Sequence, residues 1–255
     1  MRAFCISDIH GNYAALQSLL KRVKFKPTED VLYVLGDMID WGNSNVKVLQ
    51  YLMKLQKKHP SNVFVSLGNH ELLMLSALTG VNASLAMQCW FNNSGTITCN
   101  EFSSLTGKQK VEIIDWLKNL PYYFETPYYY LTHSNIIMPD AYPGAMSITT
   151  ERMHEGLPMN AVFGVWDRVV PTSVKNKTNK VLISGHTIAY KYGTSKSPVT
   201  AYFALEDNYI NIDCGAKQIG YRADYTGRLA LLELPEKMED VYDEKAYNVY
   251  YSKVQ

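Results

Sequence analysis

The sequence lacks three features that would assign it to a specialised class of protein. It has no apolar run near the roughly 20 residues that a membrane-spanning helix needs. Its four cysteines lie far apart, with no Cys-x-x-Cys pair to suggest a zinc ribbon or a disulfide framework. Its 25 Lys and Arg residues balance 24 Asp and Glu residues, so the chain as a whole does not attract nucleic acid or an anionic membrane. Any affinity for phosphate must come from a local site.

The composition that remains is that of an ordinary globular protein. Apolar residues make up 47% of the chain and charged residues 19%, a balance that can bury a substantial core. Acidic and polar side chains follow the first seven residues, so we expect no signal peptide and a cytoplasmic protein. We predict one domain over residues 1–235, with a helical cap inserted at 80–126. Residues 236–255 are predicted to be a C-terminal extension on the surface, either a frayed helix or disordered.

Short apolar runs alternate with amphipathic segments at the start of the chain. The runs at 2–7, 31–35 and 63–67 predict buried strands, and the segments between them have the apolar spacing of helices. This alternation is typical of βαβ units in a largely parallel sheet. Further strands are predicted at 128–132, 181–184, 199–205, 209–213 and 228–234. We interpret 88–98 as a loop, 108–120 as a helix and 139–158 as a long loop.

Side chains that can bind metals directly follow five of the apolar runs. Loops beyond the carboxyl ends of strands converge on one site in open α/β sheets, so we expect these side chains to meet. Four of the six histidines in the chain belong to this set. Carboxylate, amide and imidazole groups without thiolate suit hard or borderline divalent metals. The residues are Asp8, His10, Asp37, Asp40, Asn69, His70, Glu71, His133 and His186.

The charges of this set fit a pair of divalent ions. Asp8 and Asp37 would supply two negative charges against the four positive charges of the ions. The site would therefore remain cationic and could attract a phosphate dianion, which a cage made only of carboxylates could not do.

The order of these motifs resembles that of the metallophosphoesterase superfamily, and more narrowly the bacterial and phage form of the phosphoprotein phosphatases. The motifs read DIHG (8–11), GDMIDWG (36–42), GNHE (68–71), THSN (132–135) and SGHT (184–187). The resemblance covers residues 1–220 approximately. It implies an α/β protein with the calcineurin-like metallophosphoesterase fold, in which a central β-sandwich of mixed sheets is flanked by helices.

The resemblance also implies two divalent metal ions as cofactors. Manganese is the expected metal, with iron and zinc as alternatives. Such ions hold a water and a phosphoryl group for in-line attack. The implied ligands are Asp8 and His10 for the first ion, Asn69, His133 and His186 for the second, and Asp37 as the bridge between them.

Three catalytic or substrate-binding roles follow from the same resemblance. His70 would be the general acid, and Asp40 would orient it. Arg168 would bind the phosphate oxygens, with Asn69 as a further contact to the substrate. The arginine of the family's D-R-G motif is replaced by Trp41, which cannot bind phosphate through two parallel hydrogen bonds as arginine does. Either another cation takes over this role, or phosphate binding is weaker and the aromatic ring contacts the substrate. A third interpretation, which we slightly favour, is that Trp41 only packs near the rim of the site.

The sequence leaves three functions open. The first is a protein serine/threonine phosphatase, which Glu71 after the GNH motif favours. The second is a hydrolase of a nucleotide such as a symmetrical dinucleoside polyphosphate, in which Trp41 could stack on a base. The third is a non-catalytic scaffold that binds phosphorylated partners. We therefore expect a phosphoprotein or a small phosphoester as partner, and neither nucleic acid nor a membrane.

Overall fold

A computed structural model describes residues 1–80, 82–134, 165–166, 179–192, 198–218 and 226–253. Within these ranges the chain forms two five-stranded mixed sheets with helices beside them. This confirms the predicted α/β sandwich. No helix in the described ranges is long and apolar enough to cross a membrane.

The first sheet has three parallel strands and two antiparallel ones. Strand β1 (Ala3–Ile6) lies in the middle and pairs in parallel with β2 (Val31–Leu35), which pairs in parallel with β3 (Val63–Ser66). On its other side β1 pairs antiparallel with β9 (Ala230–Leu234), and β9 pairs antiparallel with β10 (Asn248–Tyr251). The carboxyl ends of β1, β2 and β3 therefore lie at one edge of the sheet.

The second sheet also has three parallel strands at its centre. They are β5 (Tyr129–Thr132), β6 (Val181–Ser184) and β8 (Tyr209–Asn211). Strand β4 (Tyr123–Glu125) pairs antiparallel with β5, and β7 (Tyr202–Ala204) pairs antiparallel with β8. Strand β4 was not predicted, because its three residues are too short to show a period.

Six α-helices lie before β4 in the described part of the chain. The segments between β1, β2 and β3 are helical as predicted, and four helices follow β3 before β4 begins. The helices are α1 (Tyr13–Arg22), α2 (Asn45–Lys58), α3 (Asn69–Thr79), α4 (Ala83–Asn92), α5 (Gly95–Ser103) and α6 (Gly107–Lys118).

Alternating side chains of the first sheet build two apolar cores. On β1, Phe4 and Ile6 pack into the core shared with the helices, whereas Cys5 packs into the core between the two sheets. On β2, Val34 and Leu35 divide in the same way. A strand buried on both faces reads as a continuous apolar run, which explains why these strands were predictable.

The prediction of a loop over 88–98 was wrong. Helix α4 continues to Asn92, and α5 begins at Gly95 after a break of two residues. The residue before α5, Ser94, has a φ of 68°. The cluster of turn-forming residues does mark a turn, but the turn only separates two helices that otherwise continue on either side.

The structure predicted for the C-terminal extension, a frayed helix or disorder, was also wrong. Residues 248–251 form β10 at the edge of the first sheet, where Tyr250 donates a hydrogen bond of 2.7 Å to Glu233. An edge strand is only half-covered, so it carries little of the apolar signal that reveals a central strand. The predicted loop at 139–158 and Arg168 lie outside the described residues.

Candidate metal centre

The structure brings all six predicted metal ligands together where the strands end. They follow β1, β2 and β3 of the first sheet and β5 and β6 of the second, so loops from both sheets meet. Each side chain is buried, with at most 2% of its surface exposed. The six residues are Asp8, His10, Asp37, Asn69, His133 and His186.

Two groups of three residues share the carboxylate of Asp37. The donor atoms of His10, Asp37 and His70 lie within 4.8 Å of one another, and so do those of Asp37, His133 and His186. Asp37 Oδ2 lies 3.6 Å from His10 Nε2 and 3.8 Å from His70 Nε2. Asp37 Oδ1 lies 3.3 Å from His133 Nε2. One carboxylate oxygen thus faces each group, as a bridging ligand requires.

Asp8 and Asn69 complete the two groups. Asp8 Oδ1 lies 3.8 Å from His10 Nε2, and the Asp8 carboxylate accepts hydrogen bonds from the N–H of His186 at 3.0 and 3.2 Å. Asn69 Oδ1 lies 3.0 Å from His133 Nε2. Asp8 therefore lies beside the first group and Asn69 beside the second.

Backbone carbonyls orient two of the imidazoles. His10 Nδ1 lies 2.8 Å from the carbonyl oxygen of Ile39, and His133 Nδ1 lies 2.9 Å from that of Leu35. Since a carbonyl only accepts, each Nδ1 carries the proton and donates it, which leaves Nε2 able to bind a metal. His10 Nε2 is buried and has no hydrogen-bond partner among the described residues. An unpartnered buried imidazole nitrogen beside a carboxylate fits a metal ligand.

Burial and the nearby charges shift the pKa values of the ligands in opposite directions. Burial raises the pKa of Asp8 to about 8, and the neighbouring Asp213 carboxylate contributes to this rise. Burial alone would lower the pKa of His133, but the carboxylate of Asp37 outweighs it and raises this pKa to about 9. Burial would raise the pKa of Asp37, but the imidazoles of His133 and His70 hold it well below its usual value. Protons therefore reside on His133 and Asp8 when no metal competes for them.

The loops that carry these residues have an unusual backbone. Positive φ values are uncommon outside glycine and store about 1–3 kcal/mol of strain each, which persists only where the surroundings hold it. The loop after β6 approaches the loop after β1 so closely that a Cβ on Gly185 would collide with the carboxylate of Asp8. Positive φ values occur at Asp8, His10, Asp37, Asp40 and His186.

Asp40 lies at the centre of a buried network that includes His70. Its Oδ2 lies 2.6 Å from His70 Nδ1, so this nitrogen donates and Nε2 faces Asp37. Trp90 Nε1 donates to the same oxygen at 3.0 Å, and Thr98 Oγ1 donates to Oδ1 at 2.5 Å. Burial alone would lower the pKa of His70, but Asp37 and Asp40 raise it above its usual value. Trp90 and Thr98 belong to α4 and α5 and were not predicted as part of the site.

Glu71 was identified in a motif, but its role was missed. Its buried carboxylate accepts hydrogen bonds from the backbone N–H groups of Asp37 (2.9 Å), Met38 (2.8 Å), Ile39 (3.2 Å) and Gly68 (2.9 Å). These bonds hold the loop after β2 against the start of α3. Glu71 therefore holds the backbone at Asp37 in position.

A further carboxylate and a lysine lie beside the site after β8. Asp213 is buried, and burial raises its pKa. The ammonium nitrogen of Lys217 lies 6.0 Å from the ring centroid of Trp41, which is partly buried. Neither Asp213 nor Lys217 was predicted as a site residue. Arg168 remains a prediction.

The arrangement of side chains around Asp37 is that of a known class of protein. Overlapping groups of imidazole and carboxylate ligands that share one aspartate are typical of hydrolases with two divalent metals. The model of one protein family, "Calcineurin-like phosphoesterase", matches residues 1–211. The chain belongs to this family, which uses divalent metals, and family membership indicates a hydrolase.

Curated relatives carry a narrower name. The chain is 32% identical over 118 residues to a symmetrical bis(5'-nucleosyl)-tetraphosphatase of Buchnera aphidicola, an alignment over 46% of this chain and 38% of the relative. It is 32% identical over 121 residues to the enzyme of the same name from Delftia acidovorans, over 48% of this chain and 38% of the relative. The chain thus matches well under half of the length of these relatives.

Solved structures share the fold across different substrates. A putative diadenosine tetraphosphatase covers the whole chain with a TM-score of 0.57 and 18% identity, and 95% of that structure is matched. A protein serine/threonine phosphatase from Saccharomyces cerevisiae covers the whole chain with a TM-score of 0.60 and 11% identity, and 80% of it is matched. Identities this low show the fold alone.

Proposed function

We propose that this chain hydrolyses symmetrical dinucleoside tetraphosphates at a two-metal site. The reaction class is supported by the two ligand groups that share Asp37. The substrate is supported by the curated relatives, which are named as symmetrical bis(5'-nucleosyl)-tetraphosphatases. This reverses the order of the two enzyme functions that the sequence left open.

The proposed ligands are the six buried residues, and His10 Nε2 is an unpartnered atom suited to the role. When bound, two divalent ions would activate water and neutralise charge on the phosphoryl oxygens. Asp37 presents one oxygen to each ligand group, and the carbonyls of Ile39 and Leu35 keep the Nε2 atoms of His10 and His133 turned inward.

His70 would act on the leaving group. Its raised pKa favours the protonated imidazole, whose Nε2 can donate a proton to the leaving oxygen. Asp40 accepts from the opposite nitrogen and keeps the ring in this orientation, while Trp90 and Thr98 hold Asp40. The chain's own residues thereby supply proton transfer and ligand orientation.

A protein serine/threonine phosphatase is the second candidate, and the His70–Asp40 pair favours it. An alkoxide is a poor leaving group that requires protonation, whereas a nucleotide phosphate leaves more readily. A buried general acid is therefore more valuable for a phosphoserine substrate. A scaffold without catalysis is less well supported, since the proposed general acid and the proposed ligands lie together at one site.

Product analysis with Mn²⁺-loaded protein tests the proposal. Diadenosine tetraphosphate should be hydrolysed faster than a phosphoserine peptide, and the product should be ADP alone rather than ATP with AMP. Chelator-treated protein and His70→Ala should both lose activity. Rapid hydrolysis of the peptide without hydrolysis of the dinucleotide would establish the second candidate instead.

A further inference from the structure

We propose that Lys217 binds a phosphate oxygen of the substrate and that Trp41 holds the lysine ammonium group in position. This inference deepens the proposed function and rests on it only for the presence of a phosphoester. It assigns the role of the arginine that Trp41 replaces to a lysine in the short 3-10 helix after β8.

The segment that carries Lys217 is anchored beside the metal ligands. It follows β8, and the carbonyl oxygen of Ala216 accepts a hydrogen bond of 3.2 Å from Asn12 Nδ2 in the loop after His10. Ala216 itself is buried. The position of the backbone at Lys217 is therefore tied to the loop that carries the first group of ligands.

The indole ring of Trp41 lies beside the Lys217 side chain. Trp41 directly follows Asp40 and has a φ of 66°, in the same strained loop as Asp37 and Asp40. The Lys217 ammonium nitrogen lies 6.0 Å from its ring centroid, at the limit of a cation–π contact. Such a contact restrains a flexible side chain without neutralising its charge.

The charge of Lys217 reaches the reacting groups. Burial is the main cause of the low pKa of His10, and the positive charge of Lys217 lowers it further. The same charge opposes the rise in the pKa of His70 that Asp37 and Asp40 cause. It also lowers the pKa of the buried Asp213, which burial raises. Lys217 is thus electrostatically coupled to both sides of the first ligand group.

The site needs this additional cation. Two negative charges were expected around the ions, but five carboxylates lie buried there when Asp40, Glu71 and Asp213 are added to Asp8 and Asp37. Fully ionised, they balance the four positive charges of two divalent ions together with the one positive charge of a protonated His70. A dianionic phosphate would then meet no net positive charge unless a further cation lay nearby.

The ammonium group is available for this role. No salt bridge joins Lys217 to any carboxylate in the part of the chain that the structure describes. Lys180, by contrast, contacts Glu125 at 2.5 Å and lies 5.1 Å from the ring centroid of Tyr130. It precedes β6, at the end of the strand opposite to His186. Lys180→Met is therefore a matched control for the loss of a lysine from an aromatic ring.

Inhibition by inorganic phosphate tests the proposal with p-nitrophenyl phosphate as substrate and Mn²⁺-loaded protein. Lys217→Met should raise the inhibition constant for phosphate about 10-fold to 100-fold, the range expected for a lost hydrogen bond to a charged group. Lys217→Arg should retain most of the affinity, and Trp41→Leu should raise the constant by a smaller factor. The double variant Trp41→Arg with Lys217→Met should recover part of the affinity for phosphate, because the new arginine places a positive charge on the partner of the Lys217–Trp41 contact. Bound metal should be equal in all variants.

The outcomes separate this inference from the proposed substrate. If the protein fails to hydrolyse diadenosine tetraphosphate while Lys217→Met still raises the inhibition constant for phosphate, only the proposed substrate is overturned. If no substrate is turned over, titration calorimetry with inorganic phosphate gives the same comparison directly. Constants within twofold of wild type for Lys217→Met, or an equal change in Lys180→Met, would overturn the role of Lys217. An unchanged constant in Trp41→Leu would overturn the role of Trp41.

Discussion

His70 Nδ1 lies 2.6 Å from Asp40 Oδ2, and both residues are buried. The carboxylate has three side-chain donors, because Trp90 and Thr98 also donate to it. His70 is thus fixed through a residue that would not itself contact the substrate. The charges of Asp37 and Asp40 both raise the pKa of His70, so Asp40 contributes to the position and to the protonation of the imidazole.

Asp40→Asn should lower kcat and shift its pH dependence. Burial lowers the pKa of His70, whereas the charges of Asp37 and Asp40 raise it. Loss of the Asp40 charge should therefore bring this pKa down. The protonated imidazole would then be lost at a lower pH, and the alkaline limb of the kcat profile should move to lower pH. We expect kcat to fall about 10²–10⁴-fold, the usual contribution of a general acid. Profiles from pH 5 to 10 measure both effects.

Trp90→Phe is the control for this prediction, because it removes one neutral donor and leaves the Asp40 charge in place. Its alkaline limb should stay close to that of the wild type. An alkaline limb that does not move in Asp40→Asn would show that His70 does not determine it.

Glu71→Gln should destabilise the fold through the loop that carries Asp37. Two backbone N–H groups point at each carboxylate oxygen, so an amide NH₂ in place of either oxygen would face two donors. We expect the free energy of unfolding to fall by about 2–3 kcal/mol in metal-free protein. Denaturant unfolding measures this, with the exposed Glu112→Gln on α6 as the control. Equal unfolding free energies for both variants would contradict the assigned role.

Metal binding should release protons at pH 7. The raised pKa of His133, about 9, means that its imidazole is protonated in metal-free protein at neutral pH, and the pKa of Asp8, about 8, adds a second proton. A metal binds only the deprotonated ligands, so affinity should rise with pH up to about 9. Calorimetry with Mn²⁺ in two buffers of different ionisation enthalpy counts the protons. Release that persists unchanged at pH 10 would argue against these two groups as its source.

Asp30 should stabilise the protein at neutral pH and lose this effect in acid. Burial would raise its pKa, but hydrogen bonds from Arg2 (2.7 and 3.0 Å) and from the N–H of Lys26 (2.9 Å) hold it below the usual value. A lowered pKa stabilises the fold above the unfolded-state pKa, and this stabilisation is lost as the pH falls through the folded-state pKa. Asp30→Asn should lower the unfolding free energy at pH 7 by about 1.5–3 kcal/mol.

The difference between Asp30→Asn and wild type should shrink below pH 4. Asp115→Asn, at an exposed position on α6, is the matched control and should show little difference at either pH. A constant difference across the range would exclude ionisation of Asp30 as the cause.

The ligand cluster was predictable because each ligand follows a strand whose apolar run is visible in the sequence. Parallel strands bring their carboxyl ends to the same edge, so the order of the motifs was enough to place Asp8, Asp37 and Asn69 together. His133 and His186 followed the same logic from the second sheet.

The supporting contacts were not predictable, since they depend on how helices dock. Trp90 and Thr98 reach Asp40 from helices that begin more than forty residues after it, and the turn between those helices masked their helical pattern. Glu71 seemed to indicate the substrate, yet its bonds to backbone N–H groups show a structural role. Lys217 was missed because a single lysine after a strand carries no pattern.

The central position of β1 has a consequence for synthesis. Ala3 pairs with Val31 on one side and with Leu234 on the other, so the second partner emerges from the ribosome only after nearly all of the domain. A nascent chain must therefore keep one apolar strand edge open throughout translation, and such edges recruit strands from other molecules. Recovery of native protein should fall with rising concentration during refolding.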